Sequence, residues 1–245
     1  MDAACCAAYL GDADFAAVPV ERLTSRAYAA ERAATIDPGA AMRSEAPGRE
    51  PGAAGSGNTT HLSVVDAAGN RVAATLTINL LFGSGVVVRG TGVLLNNEMD
   101  DFTLRADVPN SFRLLGGEAN AIAPGKRPLS SMTPTFVEDS KGVLVVGTPG
   151  GSRIVSQALL AVLDYVHAPT VDLAAIVSAP RYHHQWWPDR VEAEPGGFPH
   201  EWRAALEAKG HRLEVARRRW GNLQAVFKSK RDGRAVAASD PRGAE

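Results

Sequence analysis

The spacing of apolar and polar positions changes period along the chain. Residues 1–36 carry a helical pattern broken at Val18-Pro19 and clearest in LTSRAYAAERAATI, where Thr24 or Ser25 is placed to cap a helix. Residues 37–58 keep no period; their Gly, Ala, Pro, Ser and mixed charge are the composition of a flexible tether. From Thr59 the period becomes two. THLSVVD and RVAATLTINL alternate around the turn AAGN, which predicts a β-hairpin. If Asp66 pairs near Arg71, Thr59 lies opposite the Thr77 to Ile78 region, and Thr77 and Asn79 point to one face close to it. A slip of one residue would turn those side chains away.

Farther on, GSGVVVRGTGVLLNNEMDDF reads as a short strand ending in a polar cluster, followed by a loop through Asp107, Pro109 and Gly116-Gly117. KRPLSSMTPTFVED leads into a strand, and GVLVVGTPGGSRIVSQALLAVLDYV reads as strand, glycine turn and helix. APRYHHQWWPDRVEAE is a loop or short strand, FPHEWRAALEAKG a helix, and the tail a hairpin with the turn RDGR. No internal repeat is present. The pattern as a whole is α+β.

Several segments carry candidate chemistry. A Thr that opens a strand after a tether is usually a plain β-former, but a cut between Asn58 and Thr59 would give Thr59 a free α-amine beside its own hydroxyl. Such an amine is a general base for a weak oxygen nucleophile. In TPGGSR, Gly150 and Gly151 stand at the start of a helix. There they serve either a tight turn or an oxyanion, whose binding by backbone N–H groups is worth roughly 3–4 kcal/mol in acyl transfer. Asn96, Asn97, Glu98, Asp100 and Asp101 form a dense polar block suited to a substrate ammonium or to a solvated turn; the spacing is not that of an EF-hand. Ser130 and Ser131 are hydroxyl donors for a carboxylate, or turn residues. His183 and His184 are adjacent, so on an extended chain they face opposite ways; together with Trp186-Trp187 they predict a packed corner rather than a metal site. Arg217, Arg218 and Arg219 read as solvated surface.

Composition narrows the choice. With 245 residues the chain can bury a sizeable core, and a formal net charge of −1 gives no bulk attraction to nucleic acid or anionic membrane. Cys5 and Cys6 are adjacent, a spacing that neither bridges readily nor makes a metal site. No apolar run is long enough to span a bilayer, and MDAACCAAYLGD lacks the basic start of a signal peptide.

Taken in order, NTTHLSVVD, TLTIN, LLNNEMDDF, KRPLSSMTPT, TPGGSR, APRYHHQWWPD and the closing ASDPR resemble the small subunit of a γ-glutamyltranspeptidase (γ-glutamyltransferase). Upstream, YLGDADF and VPVERLTSRAYAAERAATID resemble the end of that family's large subunit. The resemblance implies an N-terminal nucleophile hydrolase fold, an αββα sandwich, present here without most of the large subunit. It divides the chain into the end of the large-subunit region (1–36), a linker with the processing site Asn58/Thr59 (37–58) and the catalytic small subunit (59–245).

The same resemblance implies that Thr59 is the autoprocessed nucleophile and that Thr77 hydrogen-bonds it. Asn79, Glu98, Asp101, Ser130 and Ser131 would hold the amino and carboxylate groups of the γ-glutamyl moiety. Gly150 and Gly151 would form the oxyanion hole, and the loop from Phe102 to Gly117 resembles a lid. The implied activity is γ-glutamyl transfer and hydrolysis on glutathione and related amides, with water, an amino acid or a peptide as acceptor and no cofactor or metal. No residue here matches the large-subunit arginine that binds the substrate carboxylate. The chain is therefore expected to need the rest of the large subunit, and to leave a sheet edge and an apolar face uncovered without it. The resemblance implies a periplasmic or secreted protein, as bacterial relatives usually are, while those in animals are membrane-anchored. The competing readings are a cephalosporin (glutaryl) acylase, an inactive fragment or binding module, and, weakest, a nucleic-acid binder through Arg217–Arg219.

Overall fold

A computed structural model describes residues 3–44, 57–105 and 108–244. The helical pattern at the start folds as three short helices, α1 (Ala3–Tyr9), α2 (Val20–Leu23) and α3 (Arg26–Ala34). Ser25 caps α3, its Oγ accepting from the Tyr28 amide at 3.0 Å. Most of the expected tether, residues 45–56, lies outside the described residues. Its last two residues, Gly57 and Asn58, already belong to a strand, so the strand begins before Thr59 rather than at it.

That strand, β1 (Gly57–Val65), pairs antiparallel with β2 (Arg71–Leu80). Thr59 sits opposite Thr77 and Val65 opposite Arg71, with an irregularity between Gly57 and Thr59. The Asp66 carboxylate closes the turn by accepting from the Asn70 amide at 2.8 Å. The register expected from the alternation is the one found. The segment after β2 differs from expectation: residues 83–95 form an excursion joined by a single bridge, Val87 to Leu94. Gly85, Gly90 and Gly92 have φ of 71°, 81° and 73°, so the chain turns repeatedly where the valines alone favour extension.

The larger sheet has the order β3 (Thr135–Glu138), β4 (Gly142–Gly147), β8 (Gln224–Ser229) and β9 (Ala235–Ser239), all antiparallel. Helices α4 (Ile154–His167) and α5 (Leu173–Ser178) cover one face of it. A small second sheet is formed by β5 (Tyr182–His183), β6 (Val191–Ala193) and β7 (Leu213–Val215), with α6 (His200–Ala208) between the last two. The sequence pattern missed α5 and β7, which are too short to show a period.

The core follows from β4, which is buried along its whole length. Leu144 and Val146 face the helices and meet Ala161, Tyr165, Ile176 and Val177. Each of the Leu, Val and Ile side chains contributes roughly 1.5–3 kcal/mol by leaving water. The alternate residues face the β1–β2 hairpin, where Gly147 meets the ring of His61. The chain thus stacks helices, a four-stranded sheet and a hairpin. The hairpin is polar on its inner face (Thr59, His61, Ser63, Thr75, Thr77) and apolar on its outer one, where Leu62, Val64, Val72 and Leu76 are exposed. Among the described residues no helix is long and apolar enough to cross a membrane.

Candidate functional site

The inner face of the hairpin carries the first cluster. Strand pairing brings the Thr59 hydroxyl 2.9 Å from the Thr77 hydroxyl. Thr77 Oγ1 also accepts from the Asn79 amide at 2.8 Å and donates to the Asn58 carbonyl at 3.2 Å. One hydroxyl therefore touches both the side chain of Thr59 and the carbonyl of the peptide bond that precedes it. His61, two residues along the same face, is buried between Thr75 Oγ1 (2.7 Å) and Ser63 Oγ (3.0 Å). A Cβ on Gly147 would fall 2.2 Å from its ring, so glycine there lets β1 lie directly on β4, just before the Gly150 turn.

Asn79 ends this face in the left-handed region (φ 70°) and is buried. Its Nδ2 donates to the Asn97 carbonyl at 3.2 Å, and the Leu80 amide donates to Asn97 Oδ1 at 3.0 Å. Through Asn97 the strand grips the acidic turn Glu98–Asp101. The Glu98 carboxyl lies beside that of Asp101; burial, then the charges of Glu98 and Asp100, push the Asp101 carboxyl up to about 7, and burial also raises Glu98. The pair therefore holds a proton near neutrality. Glu98 Oε1 is buried with no hydrogen-bond partner, an acceptor suited to a ligand N–H.

Beside this turn lies a cavity of about 150 Å³, bordered by Asp101, Ser131, Asn110, Asn120, Leu114 and Leu115. Buried Asn120 links its walls, donating to the Asp101 carbonyl at 2.7 Å and accepting from the Leu129 amide at 2.9 Å. Ser131 faces this cavity. Ser130 is exposed, and its Oγ accepts from the Met132 amide at 3.1 Å, so it is the expected site residue least drawn in.

Gly150 and Gly151 lead into a turn of 3-10 helix, whose first N–H groups have no acceptor inside the turn. Both glycines are required by their surroundings. Gly150 has φ 142°, and a Cβ there would lie 2.4 Å from Gln157 Nε2. Gly151 has φ 58°, and a Cβ there would lie 2.6 Å from the ring of Phe112, which presses on the turn from the 102–117 loop. Gln185 ties that loop down, donating to the Phe112 carbonyl at 3.1 Å and accepting from Ser152 Oγ at 2.8 Å.

The two histidines separate as expected. His183 is buried, with Nδ1 2.7 Å from Ser156 Oγ and Nε2 2.9 Å from Gln185 Oε1, while His184 is exposed near Asp189. Burial holds His183 down at about 4, so it is neutral. Among the described residues no group of three or more His, Cys, Asp or Glu is arranged to hold a metal. His61, Phe112, Gln157 and Gln185 were not singled out from the sequence. Only His61 had a signal there, its place two residues from Thr59 on a strand of period two.

The comparisons with known proteins agree with one another. The family model for gamma-glutamyltranspeptidase matches residues 3–245. The chain is 45% identical to the glutathione hydrolase proenzyme of Escherichia coli (strain K12) and 47% identical to that of Pseudomonas aeruginosa, over 97% and 96% of its own length. It spans 40% and 42% of the lengths of those relatives. Among solved structures, a γ-glutamyltranspeptidase mutant of Helicobacter pylori matches with a TM-score of 0.70 and 41% identity, covering 75% of this chain and 99% of that one. The enzyme of Pseudomonas nitroreducens complexed with L-DON matches with a TM-score of 0.68 and 44% identity, covering 75% of this chain and 95% of that one. With the family model running nearly end to end, this chain belongs to the γ-glutamyltranspeptidase family.

Proposed function

We propose that this chain carries the nucleophile of a γ-glutamyl-transferring and hydrolysing enzyme that first cuts itself before Thr59. The observation that carries the reading is the hydroxyl relay: Thr59 Oγ1 at 2.9 Å from Thr77 Oγ1, which donates to the Asn58 carbonyl at 3.2 Å. Attack of Thr59 Oγ on that carbonyl carbon breaks the Asn58–Thr59 C–N bond and forms an ester, and the departing nitrogen becomes the free Thr59 amine. Thr77 steadies the oxygen that gains charge. Water then cleaves the ester to an Asn58 carboxylate and a free Thr59.

In turnover the Thr59 amine takes the hydroxyl proton as Oγ attacks the γ-carbonyl of glutathione or a related amide. The N–H groups of Gly150 and Gly151 receive the oxyanion, and the proton passes to the leaving amine. A γ-glutamyl ester remains on Thr59 until water or an acceptor amine takes it. Asn79, Glu98 and Asp101 receive the substrate α-ammonium, and Ser130 and Ser131 its carboxylate. The buried, unpartnered Glu98 Oε1 favours an acyl group bearing an ammonium over a plain glutaryl group. The exposed apolar face of β1 and β2 is the seat proposed for the large-subunit part of the enzyme, a layer that would keep apolar surface from water.

The test is the intact mass of processed protein mixed with glutathione and quenched in acid. The fragment that begins at Thr59 gains the mass of one γ-glutamyl group; an unmodified fragment in a preparation that turns over glutathione would sink the ester mechanism.

The acid pair sets a pH dependence. Because Asp101 is pushed up to about 7, an incoming ammonium must displace a proton below that pH. KM for the γ-glutamyl donor should rise, by up to about tenfold per pH unit, as pH falls below 7. A KM flat between pH 5.5 and 8 would remove Asp101 from the ammonium site.

A further inference from the structure

Gln157 lies on α4 with 1% of its surface exposed, and a neutral amide buried that deeply must find partners for both its ends. Its Nε2 is 3.2 Å from the Pro149 carbonyl, and its Oε1 is 3.0 Å from the Arg181 guanidinium. Arginine has only donors, so the carboxamide oxygen must face Arg181, which leaves the NH2 group to donate to Pro149 O. Arg181 is itself held by Asp240 and by the Trp220 carbonyl at 2.7 Å, so the amide cannot flip. The packing leaves no slack, for a Cβ on Gly221 would fall 1.8 Å from Gln157 Oε1.

The Pro149 carbonyl belongs to the same planar peptide unit as the Gly150 N–H. Fixing one end of that plane fixes the direction of the other, and a bond accepted at the carbonyl strengthens the N–H as a donor. Thr148 Oγ1 also donates to Pro149 O, at 2.8 Å, and is anchored in turn by the Asn222 amide at 3.2 Å. The hydrogen bonds of Gln157 go to Thr148, Pro149 and Arg181, none of which is Thr59 or part of the acidic turn.

We infer that Gln157 is a positioning residue for the reaction: it orients and polarises the Pro149–Gly150 peptide so that the Gly150 N–H meets the developing oxyanion. This rests on the proposed function above. Its consequence is specific, since the residue serves the tetrahedral state alone. It should govern kcat and leave recognition of the γ-glutamyl group untouched.

The experiment uses the enzyme assembled with its large-subunit part and already cut before Thr59, as wild type and as Gln157→Met and Gln157→Glu. Methionine removes the donor and the acceptor at similar volume. Glutamate keeps the contact to Arg181, and with it the fold, but sets an acceptor oxygen against Pro149 O. In both, kcat for a γ-glutamyl anilide should fall roughly tenfold or more, while KM and inhibition by L-glutamate stay within about twofold. Affinity for a boronate analogue of the γ-glutamyl group, which forms a tetrahedral adduct on Thr59, should fall in step with kcat. An unchanged kcat in both variants, or parallel losses in kcat and glutamate affinity, overturns the inference. A wild type inert toward γ-glutamyl amides overturns the functional reading instead. The Gly150 amide proton resonance then decides, moving upfield in Gln157→Met if Gln157 polarises that peptide and staying in place if it does not.

Discussion

Thr59→Ala is expected to leave the chain uncut between Asn58 and Thr59 and to abolish turnover of γ-glutamyl amides. Both losses have one origin, the removal of a single oxygen. In the uncut chain that oxygen stands beside Thr77, which also contacts the carbonyl to be attacked. On the proposed mechanism it is the nucleophile of the cut chain, and the amine released by the first reaction is its base. The turnover loss should be roughly 10⁴-fold or more, the scale found when a nucleophile is deleted rather than misplaced. The fold should survive, because the side chain of Thr59 is half-exposed and the hairpin is held by backbone pairing from Gly57 to Leu80. The check is intact mass followed over hours beside an anilide assay. Thr59→Ser, which keeps the oxygen, serves as the positive control. A Thr59→Ala chain that still divides at this bond would show that another group cuts it, and residual turnover near the wild-type rate would take the nucleophile away from Thr59.

The hairpin that carries Thr59 was legible because two local signals agree. The AAGN turn pins the register, and the period-two alternation places Thr77 and Asn79 beside Thr59. The strand, glycine turn and helix around Gly150 were legible for a similar reason, an apolar run stopped by glycine and followed by a change of period. Valines 86–88 misled, since glycines on either side bend the chain away from any neighbouring strand. Gln157 was invisible in the sequence. On α4 it is one polar position among apolar ones, and its meaning depends on Pro149 before it and Arg181 well after it. Clusters made by distant segments leave no local pattern, and the charged core of this chain is of that kind.

That charged core supplies the second large effect. Arg181, Glu194, Asp240 and Arg242 have side chains no more than 3% exposed, two cations against two anions. Asp240 accepts from the Arg181 guanidinium, from the Leu223 amide at 3.0 Å, and from the amide and guanidinium of Arg242, both at 2.9 Å. Glu194 takes Arg242 through both oxygens, at 2.8 Å and 2.6 Å. Asp240→Ala would leave two buried guanidiniums facing one carboxylate. An uncompensated buried charge of that kind costs about 3–5 kcal/mol, which for a chain of this size lowers Tm on the order of 10 °C. Replacing Arg181 by Met in the same chain should recover part of the loss, because it restores the charge balance, whereas independent effects would simply add. The pH dependence has a definite sign. Burial alone would raise the Asp240 carboxyl, but the Leu223 and Arg242 amides and the Arg181 guanidinium outweigh it and hold the group below its ordinary 3.8. Its contribution is therefore complete above that value and is lost as pH falls through the lower folded value, so the wild type should lose more stability below pH 4 than Asp240→Ala does. Thermal melts of both chains from pH 7 down to pH 3 measure this, and parallel curves would show that Asp240 carries no charge worth protecting. Since Arg181 also grips Gln157, the variant that remains folded should turn over more slowly as well, through the Pro149–Gly150 peptide rather than through any contact with substrate.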